Sequence, residues 1–272
     1  MGVSPMPPRR ARRPWYETAF AGDYLKRYRH RSDEAAAAEL PFLLRALDLP
    51  RGAHVLDLCC GAGRHARALA RAGYRVLAVD LSPGLLLAAR ATSRGLPVRY
   101  VRADMRCLPL RDGSLDGAIS MFTSFGYFAR DAEDARVLLE VARVLKPRAP
   151  FILDFLNLRA TLAALAPASE RTVDGMRVLE RRRFDARRKR LVKTIRLIRA
   201  GRTEVLRESV RAYTPRELAA LFRRAGFRIM ARYGDLHGAP FNARSSPRCV
   251  IVARNAVAPA RARRQQRDRG GP

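Results

Sequence analysis

The feature that most constrains this chain is an apolar run closed by an acid and two glycines, Val55-Leu56-Asp57-Leu58-Cys59-Cys60-Gly61-Ala62-Gly63-Arg64-His65. A second run, Tyr74-Arg75-Val76-Leu77-Ala78-Val79-Asp80, ends in a second acid. Short apolar runs of this length are strands, and glycines let the chain turn tightly and let a ligand approach the backbone. Between the runs, Ala66, Leu69 and Ala70 recur at helical spacing and Gly73 is placed to end the helix. The order strand, glycine turn, helix, strand, acid is how an α/β sheet builds a nucleoside pocket. Free N–H groups of the helix face the ligand, and Asp80 is placed to accept from both ribose hydroxyls.

The glycines alone do not fix which nucleoside binds. Gly61-Ala62-Gly63-Arg64-His65-Ala66 satisfies the dinucleotide pattern G-x-G-x-x-G/A. Asp57, however, sits at the end of the first strand, where a carboxylate repels a pyrophosphate and suits an ammonium or sulfonium group. A third strand, Val98 to Arg102, delivers Asp104 and Met105 to the same sheet edge. An acid there can accept from an adenine amino group, and Met105 can cover the ring.

With these residues in place, the chain resembles the class I S-adenosylmethionine-dependent methyltransferases over roughly residues 50 to 255. The family motifs fall on Val55 to Gly63, Val79-Asp80, Ala103-Asp104-Met105 and Leu115 to Ser120, the last being the fourth strand. The segment Met121 to Phe128 further resembles a bacterial small-molecule subgroup. Two positions depart from the pattern: Cys59 replaces the first loop glycine, and Arg148-Ala149 replaces the Gly-Gly after Lys146-Pro147. The resemblance implies S-adenosylmethionine as cofactor, with Asp57 near its amino group, Cys59, Gly61 and Gly63 beneath it, and Asp80 on the ribose. It places Asp104 and Met105 at the adenine, with Leu81, Met121 and Phe122 flanking sugar and base. In similar enzymes an N-terminal helix closes over the cofactor, a role that falls here to Tyr16, Tyr24 or Arg31.

Alternation of β and α elements implies an α/β fold, a Rossmann-like, doubly wound, seven-stranded and mostly parallel sheet with an antiparallel pair at its edge. Helices are expected over Trp15 to Arg31, over Glu34 to Leu47, from Ser82-Pro83 to about Arg90, over Asp131 to Leu145, and from the capping box Thr214-Pro215-Arg216-Glu217 to Gly226. After the fifth strand, an insert over about 168–212 breaks the rhythm. Its three β-like runs, Met176 to Phe184, Leu191 to Arg199 and Thr203 to Ala212, predict a small antiparallel β cap over the catalytic edge. One methyltransferase domain, 14–256, is thus expected between disordered basic tails at 1–13 and 257–272.

Charge and cysteines bound the remaining options. The formal net charge is +29, and residues 170–211 alone carry fifteen Lys or Arg against six acids. A basic stripe suits a polyanion, but only Phe184 among those residues could stack a base, so nucleic acid is a possible partner and a small-molecule acceptor the favoured one. Only four of the 54 basic residues are Lys, which points to coding bias as much as to function. Cys59, Cys60, Cys107 and Cys249 lack zinc-site spacing, so no metal is expected. No apolar run approaches a membrane span and no signal-peptide core is present, so a cytoplasmic location is expected.

Methyl transfer from a sulfonium is an in-line displacement in which positioning supplies much of the acceleration, and a base is needed only when the acceptor holds its proton. Acceptor-side candidates are Ser124, Tyr127, Asn157, Tyr233, Asp235 and His237, with His237 and Tyr127 as the catalytic candidates, Tyr127 either lining the acceptor pocket or packing under the insert. An RNA or protein methyltransferase and a non-catalytic S-adenosylmethionine-binding protein are the alternatives. A nicotinamide dehydrogenase is a further one.

Overall fold

Strand order is what creates a site in this molecule, and the order follows from where apolar runs fall. The computed structural model describes residues 13–20, 22–28 and 31–256. The expected basic tails, apart from Arg13, lie outside the described residues. In chain order come α1 (Trp15–Thr18), α2 (Tyr24–Arg27), α3 (Asp33–Leu47), β1 (His54–Leu58), α4 (Arg64–Arg71), β2 (Arg75–Asp80), α5 (Pro83–Thr92) and β3 (Val98–Arg102). Next are β4 (Gly117–Ser120), α6 (Asp131–Val144), β5 (Pro150–Leu156), α7 (Leu158–Ala163), β6 (Ala168–Val173), β7 (Met176–Asp185), β8 (Arg190–Arg199) and β9 (Arg202–Arg211). The chain closes with α8 (Pro215–Arg224), β10 (Phe227–Tyr233) and β11 (Arg248–Asn255).

The main sheet has seven strands in the order β10-β11-β5-β4-β1-β2-β3. Neighbours from β3 to β5 pair in parallel, and β11 runs antiparallel to both β5 and β10. Every residue of β4 and β5 is buried, as strands covered on both faces must be. Alternate residues go to opposite faces: Leu56 and Ala118 join Val141 and Phe222 on one side, while Val55 and Ile119 join Leu43 and Leu69 on the other. Helix starts follow their caps, since Ser82 accepts from the Leu85 N–H and Thr214 and Glu217 form a reciprocal capping box.

The insert forms a second, four-stranded antiparallel sheet, β6-β7-β8-β9, rather than the three strands expected. The additional strand, β6, is an edge with exposed and half-buried residues only, so it has no apolar alternation to read. Its hairpin turn, Asp174-Gly175, has φ of 49° and 73° at its two residues, the combination that favours Asp-Gly between strands. This sheet buries Met176, Val178, Ile195 and Leu197 in a small core of its own. It is tied to the segment after β4 by Arg190, which donates to the carbonyls of Gly126, Tyr127 and Phe128.

The single helix expected over Trp15 to Arg31 is instead two four-residue helices, α1 and α2. Gly22, at φ 56°, lies between them and takes the chain out of helical geometry. Trp15 and Phe20 still pack on Tyr127, and Tyr16 packs on Phe128, with ring centroids 4.9–5.6 Å apart. The N-terminal segment is therefore a lid laid across the end of β4.

Candidate active site

Strand order reverses between β1 and β4, which opens a crevice at their carboxyl ends. The turn leaving β1 uses three left-handed residues, Cys59 (φ 61°), Gly61 (φ 55°) and Gly63 (φ 79°). A β-carbon at Gly63 would lie 2.3 Å from the Tyr100 hydroxyl, so that glycine serves the packing of α4 on β3. Gly61 differs, because a β-carbon there would meet nothing within 4 Å and would project where a ligand would sit. Cys59 holds its conformation at about 1–2 kcal/mol of strain, and its sulfur lies 3.5 Å from that of Met105.

Two connected compartments fill the crevice. The first encloses about 710 Å³, counting its open mouth, within the roughly 300–1,000 Å³ of small-ligand sites. Its walls include Asp80, Leu81, Asp104 and Met105, with Tyr16, Tyr24 and Tyr127 above. Asp80 accepts the Gly61 N–H at 2.9 Å on one oxygen and the Ser82 N–H at 2.8 Å on the other, which leaves each oxygen a lone pair for a ribose hydroxyl. Burial raises its carboxyl pKa, against the pull of those backbone donors. Asp104 is already engaged by Arg106, whose Nε lies 3.1 Å from both oxygens. Burial opposes its ionisation, but the Arg106 hydrogen bonds outweigh that and hold the carboxyl below its ordinary value.

The second compartment adds Asp57, Arg64, His65 and Met121 and shares Tyr24, Arg31, Cys59, Gly61, Phe122 and Ser124 with the first. Here three buried polar atoms have no hydrogen-bond partner: Asp57 Oδ2, Arg31 Nε and Arg64 Nη1. Asp57 is 2% exposed, and burial pushes its carboxyl up to about 6 against the charges of His65 and Arg64. The guanidinium carbons of Arg64 and Arg31 lie 4.0 and 5.3 Å from the centre of the Phe122 ring. One acid and two cations around a shared cavity match the ammonium and carboxylate of an α-amino acid. Unsatisfied buried groups cost about 1–3 kcal/mol each, and a ligand of that kind would satisfy all three.

Phe122 is held in place by a device with no obvious sequence signature. Phe122 and Thr123 are consecutive left-handed residues, at φ 58° and 59°. The Phe122 N–H donates to the buried Asp154 carboxylate at 2.8 Å, and the Thr123 N–H donates to the Asp154 carbonyl at 2.9 Å. Arg248 completes the clamp, donating to Asp154 at 2.7 Å and to Thr123 Oγ1 at 3.0 Å.

Of the residues singled out in the sequence, Tyr16, Tyr24, Arg31, Asp57, Cys59, Gly61, Asp80, Leu81, Asp104, Met105, Met121, Phe122, Ser124 and Tyr127 line the two compartments. Gly63 does not, and Met121 lines the second compartment only. His237 stands exposed on a turn closed by the Asp235 carboxylate and lines neither compartment. Asn157 is a structural residue, its amide donating to the Ala243 and Ser246 carbonyls. Tyr233 packs on Phe42 and lines neither compartment either. Tyr127 lines the first compartment, and burial pushes its phenol well above the ordinary value. Arg64 was missed although a signal was present: a cation in the first turn of a helix opposes the helix dipole and asks for an anion. Among the described residues, no group of His, Cys, Asp and Glu could hold a metal, and no helix is long and apolar enough to cross a membrane.

This sheet order, glycine turn and pair of strand-end acids define the class I methyltransferase fold. Residues 55–148 match the family described as methyltransferase domain. The chain is 32% identical over 148 residues to the glycine/sarcosine N-methyltransferase of Parasynechococcus marenigrum, covering 52% of each. It spans about half the length of the curated relatives it matches. Among solved structures, the CcbJ methyltransferase from Streptomyces caelestis superposes with a TM-score of 0.74 at 22% identity, over 89% of this chain and 99% of that one. An S-adenosylmethionine-dependent methyltransferase from Clostridium acetobutylicum does so with a TM-score of 0.72 at 18% identity, over 86% and 96%.

Proposed function

We propose that this chain transfers a methyl group from S-adenosylmethionine to a small or medium-sized molecule, acting as one domain over 14–256 with residues 168–212 as its cap. The observation that carries the donor half is the set of unpartnered atoms, one each on Asp57, Arg31 and Arg64, beside Asp80. Asp57 would take the ammonium, Arg31 and Arg64 the carboxylate, Asp80 the ribose, and Met105 with Tyr16 the adenine. When bound, S-adenosylmethionine supplies an electrophilic methyl group. The chain's own contribution is to orient the donor, to exclude water with the aromatic lid, and to present the acceptor from the side of Ser124 and Tyr127.

Enclosure by lid and cap favours an acceptor small enough to fit inside. The relative acting on glycine and sarcosine points the same way. The basic cap is weaker support for a polyanion than its charge alone implies, because several of its basic residues are already paired. Arg171 and Arg182 pair with Glu180, Arg177 with Glu170, Lys193 with Glu208, and Arg211 with Asp131 and Glu217. Calorimetric titration of the full chain with S-adenosylhomocysteine is the test. Micromolar binding that Asp80→Ala weakens tenfold or more is expected, and no binding below millimolar concentration would refute the donor half. A screen of amines, amino sugars and phenols for labelled methyl uptake, with RNA as comparison, addresses the acceptor.

A further inference from the structure

Between cap and lid lies a cluster that donor binding leaves unused. Lys193 and Glu208 are cross-strand neighbours on β8 and β9, ion-paired at 2.7 Å with side chains 19% and 16% exposed. Lys193 Nζ also donates to the Tyr28 hydroxyl, and that hydroxyl donates to Glu208 Oε1 at 3.0 Å. Three groups thus close a triangle between the cap and the residue that follows α2. Burial, and then the Glu208 charge, raise the Tyr28 phenol above its ordinary value, so it stays a protonated donor.

Tyr28 faces the donor pocket from the other side. Its ring centre lies 4.4 Å from the Arg31 guanidinium, and both residues line the compartment that holds Asp57. Arg31 also donates to the Tyr24 hydroxyl at 2.9 Å. A second link runs in parallel, as Arg171 of the cap reaches the Arg27 carbonyl of α2 at 3.4 Å.

We infer that Lys193 and Glu208 are positioning residues for the donor: they fix the Tyr28 ring, and the ring fixes Arg31 where the donor's carboxylate binds. Their charges cancel locally, so the pair adds no net charge beside the pocket and acts chiefly through geometry. An exposed ion pair does little, but this one is mostly shielded and its third member is anchored in the site. Because coupling free energy is reciprocal, whatever the cap binds changes donor affinity by the factor by which the donor changes its binding. The inference rests on the reading of the pocket as a site for S-adenosylmethionine.

The test uses the full chain titrated with S-adenosylhomocysteine. Lys193→Met and Tyr28→Phe should each weaken binding by about 5-fold or more, in the range of coupling between sites, with the ligand-free melting temperature little changed in Tyr28→Phe, which leaves no charge unpaired. Lys193→Arg should recover most of the loss, and the Tyr28→Phe/Lys193→Met double variant should bind no worse than the weaker single. Lys193→Met/Glu208→Gln removes both charges together, so that neither is left buried alone, and should match Lys193→Met. Unchanged affinity in these variants, additive losses, or a loss matched by a lower ligand-free melting temperature in Tyr28→Phe or in Lys193→Met/Glu208→Gln would each overturn the inference. Failure of the unmodified chain to bind S-adenosylhomocysteine would instead strike the donor reading itself.

Discussion

Asp57 is a liability to the folded chain until a cation occupies its pocket. Its carboxyl is pushed up to about 6, first by burial, with His65 and Arg64 acting the other way. An unfolded aspartate ionises near about 3.9. Below about pH 4 both states hold the proton and Asp57 has no effect on stability. As pH rises toward 6 the unfolded chain ionises first, so the folded state loses stability, and above that the loss is constant. At about 1.4 kcal/mol per tenfold change in acidity, the full loss is about 3 kcal/mol. Asp57→Asn is therefore expected to raise the ligand-free melting temperature at pH 7.5 by about 5 °C or more and to change it little at pH 4. The same variant should bind S-adenosylhomocysteine at least tenfold more weakly, since an amide does not pair an ammonium. Scanning calorimetry at the two pH values checks this, and an unchanged melting temperature at pH 7.5 would contradict it. Asp134, pushed up to about 7 chiefly by burial, has the same sign in both proteins and cancels in the comparison. Asp57, Gly61 and Asp80 were legible in the sequence because strand ends and glycine turns fix them by spacing alone. Arg64 and Phe122 were less so, since their roles depend on side chains from different elements meeting over one ring.

At the scale of elements, the glycine turn and the loop after β4 answer to different forces. Gly63→Ala would drive a β-carbon to 2.3 Å from the Tyr100 hydroxyl at φ 79°, so strain and overpacking add. A loss of about 2–5 kcal/mol is expected, from about 1–2 for the left-handed alanine and about 1–3 for the clash. Gly61→Ala carries only the first part, yet should abolish donor binding by filling the crevice floor. Urea unfolding beside ligand titration separates the two, and equal stability losses would show that the turn is not divided this way. In the clamp, Arg248→Met leaves the Asp154 carboxylate buried without its ion-pair partner. A loss of about 3–5 kcal/mol follows for such a break, with weaker donor binding as Phe122 is released. A stability change below about 1 kcal/mol, again by urea unfolding, would show that the N–H donors of the loop hold Asp154 by themselves. Most elements were readable beforehand because their apolar periodicity and caps agree. β6 was not, being an exposed edge whose pairing is made by backbone and announced only by Asp174-Gly175.

Over the whole molecule, the +29 net charge sets repulsion between many surface arginines against a set of local ion pairs. Salt weakens both, so the sign of its effect reports which is larger. Exposed pairs such as Arg177–Glu170 and Lys146–Asp116 are worth at most about 1 kcal/mol each. The pairs that matter to the fold, Arg248–Asp154 and Arg67–Asp33, each keep one partner largely out of water and are screened less. Repulsion is longer in range, acting over a Debye length of about 30 Å at 0.01 M salt and about 8 Å at 0.15 M, and it sums over every unpaired arginine. Repulsion should therefore dominate, and the melting temperature is expected to rise by several degrees between 10 and 300 mM sodium chloride. Affinity for S-adenosylhomocysteine, whose amino-acid end is a zwitterion held by enclosed charges of both signs, should change by less than about threefold over the same range. A melting temperature that falls with salt would mean that ion pairs, the cap network included, contribute more than the repulsion they sit in. A donor affinity that collapses with salt would instead mean that the surface field, rather than Asp57, Arg31 and Arg64, holds the ligand.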